Sequence, residues 1–196
     1  MLGNKKIKPG RLNGLFSGFI ILAVFSVAGC SLVPPPGFPQ AEYVDIPRYM
    51  GPWYVIATIP PGTSDNAYNA LECYKRIEPG EISTVFTFRE GNFDGERHTF
   101  KPTGYIIEGT GNAVWGMQFF WPLKMQYVIS YVSDDYQTTI IARSDRDYVW
   151  IMARTPNIPD ATYENLVKQV EALGYDMSKL RKVPQQPLSK RDDGCN

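Results

Sequence analysis

The chain has 196 residues, with 20 basic and 20 acidic side chains and a single histidine. This balance gives no basic excess with which to hold nucleic acid, and one histidine excludes a histidine-rich metal site. Four of the basic residues lie within the first eleven positions, so the chain after residue 29 has 16 basic against 20 acidic residues, a net charge of about −4.

Residues 1–29 have the pattern of an export signal. A positively charged start precedes an apolar run over residues 15–28, which has signal-peptide length and is shorter than the ~20 residues that a membrane-spanning helix needs. The positive charges are those of Lys5, Lys6, Lys8 and Arg11. We therefore exclude this segment from the folded domain.

The motif Val27-Ala28-Gly29-Cys30 resembles a bacterial lipobox, in which the signal is cut before the cysteine and the cysteine is acylated with chains such as palmitate. The resemblance implies that Cys30 anchors the protein to a membrane, because two or three acyl chains bind durably. In the enterobacterial lipoproteins that this motif resembles, an aspartate after the cysteine retains the protein at the inner membrane, so the resemblance implies that Ser31 directs this chain to the outer membrane, on its periplasmic side. The alternative is an ordinary secretory signal with a chance cysteine. Residues 30–40 would then be the lipidated cysteine and a stiff proline-rich spacer.

Residues 41–187 are predicted to form one all-β domain with a C-terminal helix. Segments rich in aromatic and β-branched residues alternate with short turns. The predicted strands are 53–59, 70–77, 82–90, 98–108, 113–120, 125–133, 138–144 and 148–154. Eight strands that run up and down close an antiparallel barrel in which the first and last are neighbours. The long loop 60–66 is a candidate lid for the open end.

Barrel closure places Trp53, at the start of the first strand, beside Arg154, at the end of the last. The Arg154 guanidinium can then cover the Trp53 indole and plug the floor, next to the turn at Gly51. These residues resemble the Gly-x-Trp and Arg signature of the lipocalin family. The turn Asp134-Asp135-Tyr136 and the sequence Arg154-Thr155-Pro156 are also similar to lipocalin motifs. With the lipobox, the resemblance is to bacterial outer-membrane lipocalin lipoproteins.

A helix is predicted after the last strand, with Asp160 as its N-cap and Gly174 at its end. Its apolar positions recur at helical spacing, at Tyr163, Leu166, Val167, Val170 and Leu173. We expect this stripe to pack on the outer barrel wall, and a partner-binding helix is the alternative. A short strand near 180–183 and a polar tail at 188–196 complete the chain.

Alternation along the strands predicts which side chains line the barrel. The expected ligand-binding residues are Val55, Ala57, Trp115, Met117, Phe119, Tyr127, Ile129, Tyr131, Ile140, Ala142, Tyr148, Trp150 and Met152. This lining suits an acyl chain, and the small residues Ala57 and Ala142 favour a void. A barrel filled solid by side chains is the alternative. Val55 departs from the resembled subgroup, which commonly has glutamate there, so the lower cavity is expected to be more apolar.

Cys73 and Cys195 remain once Cys30 is acylated. In an oxidising periplasm a disulfide between them would tie the tail to the barrel wall, and two unpaired thiols are the alternative. A free Cys73 facing the cavity would allow a lipocalin-type isomerase, although no histidine is close in sequence to activate it.

The sequence therefore predicts a binding protein and not an enzyme, with no cofactor and no metal. The lipocalin resemblance implies storage or transport of fatty acids or lysophospholipids for envelope maintenance under stress, and it leaves a homodimer open. Two other functions stay open: a packed barrel that serves as an envelope scaffold, and the isomerase.

Overall fold

The structure is a computed structural model that describes residues 32–60, 66–191 and 195. The predicted signal over 1–29, the proposed anchor Cys30 with Ser31, and residues 61–65 of the candidate lid lie outside the described residues. In the described part of the chain, no helix has the length and apolar character to cross a bilayer.

Strands make up most of the described chain. They are β1 (Gly51–Ile59), β2 (Ala67–Glu78), β3 (Glu81–Glu90), β4 (Arg97–Phe100), β5 (Thr103–Ile106), β6 (Val114–Phe120), β7 (Leu123–Val132), β8 (Thr138–Ala142), β9 (Val149–Ala153) and β10 (Arg181–Lys182). The α-helices are α1 (Ile46–Tyr49) and α2 (Asp160–Ala172), with short 3₁₀ helices at Met177–Lys179 and Leu188–Lys190.

The strands form a closed eight-stranded antiparallel barrel, which confirms the predicted fold class. β4 and β5 together make one barrel strand, because both pair with β3. The interruption falls at Pro102, which has no N–H to donate to a ladder; its carbonyl oxygen instead accepts from Thr84 N at 3.1 Å and Thr84 Oγ1 at 2.9 Å. The barrel closes where β1 pairs with β9.

The predicted helix is α2, and it packs on the outer wall. Leu166 and Val170 are buried against wall residues that include Ile151 of β9. Asp160 is the first helical residue and not the N-cap, a position that Pro159 occupies without a side-chain hydrogen bond. Gly174 follows the helix with φ +83°, a left-handed conformation that favours glycine. The predicted short strand is β10, which pairs with β1.

The chain before α1 lies along β7. Ala41 N donates to the Ile129 carbonyl oxygen at 2.9 Å, and Ser130 Oγ donates to the Pro39 carbonyl oxygen at 2.7 Å. Residues 39–41 are therefore fixed to the barrel wall.

The predicted spacer is also held by apolar contacts. Phe38 is buried in a cluster of apolar side chains on the outside of the barrel that also contains Ile151, Leu166 and Val170, and we call this the outer-wall cluster. A Cβ built on Gly116 would lie 2.9 Å from Leu32 Cδ1, so Leu32 covers the wall at β6. Apolar side chains of residues 32–40 therefore bury surface on the barrel wall along the described length of this segment.

Cys73 and Cys195 are joined by a disulfide, which ties the C-terminal tail to β2. The Cys73 side chain belongs to the outer-wall cluster and not to the barrel interior. Its sulfur is therefore neither a free thiol nor a cavity group.

Candidate ligand-binding cavity

An apolar cavity of about 180 Å³ lies in the half of the barrel away from Trp53. It is lined by Glu72, Phe86, Phe88, Phe100, Pro102, Met117, Phe119, Met125, Gln126, Tyr127, Arg143, Tyr148 and Trp150. Several of the aromatic rings pack on each other around the wall: the centroid of Phe86 lies 4.8 Å from Trp150 and 5.5 Å from Phe88. The upper barrel thus offers an aromatic surface that opens at the barrel mouth.

The half of the barrel below the cavity is filled with aromatic side chains. Tyr49 packs against Trp53, Tyr74 and Trp115, with ring centroids 5.0 to 5.8 Å apart. The Tyr74 and Tyr127 hydroxyls are hydrogen-bonded to each other. The barrel is therefore solid at its closed end and hollow at its open end.

Arg154 closes the floor beneath these rings. Its Cζ lies 3.8 Å from the centroid of the Trp53 ring. The guanidinium donates to three carbonyl oxygens, those of Pro52 (2.8 Å), Arg48 (2.7 Å) and Tyr136 (3.3 Å). The structure thus has the predicted contact between Trp53 and Arg154.

Gly51 and Tyr136 complete this end of the barrel. Gly51 has φ +93°, and a Cβ there would lie 3.6 Å from an Arg154 guanidinium nitrogen; both the conformation and the close approach favour glycine. The Tyr136 hydroxyl accepts from Asp45 N at 2.8 Å, and the Arg48 guanidinium lies 4.1 Å over the Tyr136 ring. The three sequence motifs therefore meet at one place.

Most of the predicted lining residues lie inside the barrel. The interior group consists of Val55, Trp115, Met117, Tyr127, Ile129, Tyr148, Trp150 and Met152. Phe119 is half-exposed and contributes to the cavity at its mouth. Of these nine, the cavity itself is bounded by Met117, Phe119, Tyr127, Tyr148 and Trp150; the others pack elsewhere in the interior.

Ala57 and Tyr131 do not face the interior, contrary to the sequence prediction. β1 has an irregularity between Val55 and Ala57, and β7 has one between Ile129 and Tyr131. Each inserts one residue and reverses the alternation beyond it. Ala57 and Tyr131 therefore pack with the outer-wall residues.

Ile140 and Ala142 also lie on the outer wall, and the predicted phase of β8 is wrong by one residue. Ile141, between them, belongs to the interior cluster. Ala57 and Ala142 are small where they pack on the outside of the wall. The expectation that these two residues indicate a void inside the barrel is therefore wrong. The cavity lies among other residues.

The strands β2, β3, β4 and β5 supply much of the cavity, although no lining residue was predicted on them. They contribute Glu72, Phe86, Phe88 and Phe100, followed by Pro102. The alternation of Phe86 and Phe88, with polar or half-buried neighbours, is a signal that could have identified the β3 contribution.

Glu72 is a buried carboxyl group at the cavity. It is 1% exposed and stands opposite Trp53 and Phe86 in the sheet register. Its Oε2 has no hydrogen-bond partner among the described residues. Burial in this apolar surrounding raises the pKa of Glu72 well above its usual value, and a contact with the Thr84 side chain opposes the rise. The cavity therefore does have a carboxyl group, which Glu72 of β2 supplies. Position 55, where the resembled subgroup commonly has glutamate, is valine.

Substituting Glu72 by glutamine is expected to change the pH dependence of stability. Because the pKa is raised in the folded state, the folded protein binds more protons than the unfolded chain above about pH 4.3, the unperturbed glutamate value. Wild-type stability should then fall as pH rises toward the folded pKa, by roughly 1 kcal/mol per pH unit relative to Glu72→Gln. Urea unfolding of both proteins at a series of pH values measures this difference, and parallel curves would contradict it.

Among the described residues, no three histidine, cysteine, aspartate or glutamate side chains are grouped so that they could hold a metal ion. The chemistry available at the cavity is that of an apolar wall with tyrosine hydroxyls, the Gln126 amide, one carboxyl and one guanidinium.

Comparison with known proteins agrees with this architecture. A family model described as a lipocalin-like domain matches residues 44–185. Temperature-induced lipocalin-1 of Arabidopsis thaliana is 29% identical over 150 residues, which cover 72% of this chain and 80% of that protein. The outer membrane lipoprotein Blc of Escherichia coli K12 is 27% identical over 171 residues, covering 85% and 94%.

A solved structure has the same fold. Insecticyanin from the tobacco hornworm Manduca sexta matches with a TM-score of 0.59 at 16% identity, over 80% of this chain and 95% of that one.

Proposed function

This chain belongs to the lipocalin family, and on that basis we propose that it is an outer-membrane lipoprotein that stores or transports fatty acids or lysophospholipids for envelope maintenance under stress. Binding of small hydrophobic ligands is the role of the family. The observation that carries the proposal is the aromatic cavity that occupies one half of the barrel, above the floor that Arg154 closes.

The size of the cavity favours a ligand with one acyl chain. Its volume of about 180 Å³ is below the ~300–1,000 Å³ of sites that enclose a drug-sized molecule. A volume of this size favours one narrow chain over two side by side, with the rest of the molecule at the mouth. Each methylene buried contributes about 0.8 kcal/mol to binding, so affinity rises with the length of chain inside.

The polar head of such a ligand is expected to stay at the mouth. Arg143, the cationic residue of the lining, has its guanidinium there, where it also contacts the carboxylates of Asp147 at 2.9 Å and Asp145 at 3.6 Å. An anionic carboxylate or phosphate head can compete for this guanidinium without leaving water.

Membrane attachment is the second part of the proposal. Its support is the lipobox ending in Cys30 and the similarity to a relative named as an outer membrane lipoprotein. Cells expressing the full-length protein are expected to incorporate radiolabelled palmitate into it, and Cys30→Ser should abolish both the label and sedimentation with membranes. Unchanged sedimentation of unlabelled Cys30→Ser protein would contradict the anchor.

Native mass spectrometry of the detergent-free protein tests the ligand directly. We expect an added mass equal to one fatty acid or lysophospholipid. Met125→Trp should reduce its occupancy, because the indole narrows the mouth where Met125 is partly exposed. The matched control is Leu188→Trp, which places the same group on the exposed C-terminal 3₁₀ helix. Equal occupancy in both variants, or no added mass in any, would overturn the proposal.

The structure gives less support to the two other candidate functions, the envelope scaffold with a packed barrel and the isomerase. A barrel packed solid would have no upper cavity. An isomerase dependent on Cys73 would need a free thiol inside the barrel, whereas Cys73 forms a disulfide on the outer wall. We therefore retain the binding function.

A further inference from the structure

The hairpin of β6 and β7 ends in a group of exposed apolar side chains at the open end of the barrel. We call Phe119, Phe120, Trp121, Leu123 and Met125 the mouth tip. Trp121 is 84% exposed, Phe120 66% and Leu123 60%. Large apolar side chains exposed together in this way mark an interaction surface.

The segment that forms the mouth tip and the strand beside it carry basic side chains and no carboxylate, whereas the carboxylates of the open end lie at its other turns, at Glu90, Asp94, Glu96, Asp145 and Asp147. Residues 109–133 contain a single charged side chain, Lys124, and no carboxylate. The adjacent stretch 97–107 contains Arg97 and Lys101 and again no carboxylate. Aromatic residues beside basic ones are the composition of segments that lie at the membrane interface, where indole rings sit at headgroup level and cations meet lipid phosphates.

The N-terminal end of the described chain lies on this same hairpin. Leu32 covers Gly116 on the outer face of β6, and Lys124 of β7 is the other side chain close to that glycine. Cys30 precedes Leu32 by two residues, so covalent geometry limits the distance between their Cα atoms to about 7 Å. Trp121 is five residues beyond Gly116, about 16 Å along an extended strand. A lipid anchor at Cys30 would therefore be attached close to the β6–β7 hairpin, whose end is the mouth tip.

We propose that the mouth tip inserts into the interface of the lipid bilayer that holds the Cys30 anchor, so that the barrel mouth faces that bilayer. This inference rests on the anchor of the proposed function and adds an orientation to it. Phe119 and Met125 belong both to the tip and to the cavity lining. An acyl chain can thus pass between bilayer and cavity along apolar side chains, without crossing water.

The test uses full-length, acylated protein reconstituted into vesicles of phosphatidylcholine and phosphatidylglycerol, with and without acyl-brominated phosphatidylcholine. Subtracting the fluorescence of the Trp121→Phe variant isolates the emission of the Trp121 indole. We expect this emission to be blue-shifted on vesicles and reduced by roughly half by the brominated lipid, since the apolar face of an interfacial segment reaches the boundary between headgroups and acyl chains.

Variants separate the tip from other exposed apolar residues. The double variant Phe120→Ser/Leu123→Ser is expected to remove the blue shift and the quenching of Trp121. Ile77→Ser replaces an exposed apolar residue near the β2–β3 turn, at the closed end, and should leave both unchanged.

Flotation of the protein with the vesicles reports the anchor independently. If the protein floats but Trp121 emits as it does in water, the docking proposal is overturned and the anchor stands. If the blue shift occurs equally without vesicles and depends on protein concentration, the tip packs against a second copy and the proposal is again overturned. Protein that fails to float contradicts the anchor on which both proposals rest.

Discussion

Arg154→Met is expected to lower the free energy of unfolding by about 3 kcal/mol, because it removes a part-buried hydrogen bond from a charged donor to Tyr136, two exposed ones to Pro52 and Arg48, and the cation over the buried Trp53 ring. Methionine retains much of the aliphatic volume but donates to none of the three carbonyl oxygens that the guanidinium contacts. It also removes the cation from the face of Trp53. The free energy of unfolding of Arg154→Lys should lie between those of the wild type and Arg154→Met, because an ammonium group keeps the charge but lacks the planar set of donors of a guanidinium.

Arg48→Met is the matched control at the same end of the barrel. The Arg48 guanidinium lies over Tyr136 and donates to one carbonyl oxygen, that of Asp134, in an exposed position. We expect a loss of less than about 1 kcal/mol, the usual scale for exposed contacts of this kind. Urea unfolding at neutral pH measures all three variants. Equal losses for Arg154→Met and Arg48→Met would show that the floor does not depend on Arg154.

Removal of the disulfide is expected to cost about 4 kcal/mol. Cys73 and Cys195 are 122 residues apart in sequence, so the bridge closes a loop that includes nearly the whole barrel. Opening so long a loop increases the conformational freedom of the unfolded chain, with an effect of about 4–5 kcal/mol for a loop of this order. The change acts chiefly on the unfolded state, so the fold itself should persist.

The double variant Cys73→Ala/Cys195→Ala tests this expectation against the oxidised and reduced wild type. The folded tail has other attachments, since Arg191 donates to Asn69 Oδ1 at 3.2 Å and to the Asn69 carbonyl oxygen at 2.9 Å. Near-native circular dichroism with a lower unfolding midpoint is therefore expected for both the variant and the reduced protein. If reduction leaves the midpoint unchanged, the loop-closure account of this bridge is wrong.

The closed end of the barrel was predictable because two distinctive residues, a tryptophan and an arginine, mark it in the sequence. Trp53 and Arg154 stand at the ends of the first and last barrel strands, and even-numbered closure makes them neighbours. Neither bulges nor loop lengths between them change that outcome. The motif with Tyr136 joins the same end for the same topological reason.

The faces of individual strands were less predictable. β8 reads Thr-Thr-Ile-Ile-Ala, and all five residues are buried, because the interior covers one face and α2 with its neighbours covers the other. A strand buried on both sides has no polar alternation to fix its phase. In β1 and β7 successive side chains do point alternately into and out of the barrel, but the order reverses at an irregularity in the pairing. No proline or glycine stands at either irregularity to reveal it in the sequence.

The burial of Glu72 and of side chains in the proline-rich segment was not predictable for another reason, since residues of these types usually lie in solvent. A carboxylate in a strand normally marks the exposed face, yet Glu72 faces the interior. A run of prolines normally acts as an extended spacer, yet Leu32 and Phe38 fasten that segment to the wall. Tertiary burial decided both cases, and composition alone does not reveal it.

Tryptophan quenching by a lysophospholipid brominated on its acyl chain tests ligand binding inside the barrel most directly. In a Trp121→Phe background the mouth-tip indole is absent, and Trp150 is the indole that lines the cavity. We predict saturable quenching at one ligand per protein that disappears when Trp150 is also changed to phenylalanine. Quenching that does not saturate, or that persists equally without Trp150, would contradict binding inside the barrel.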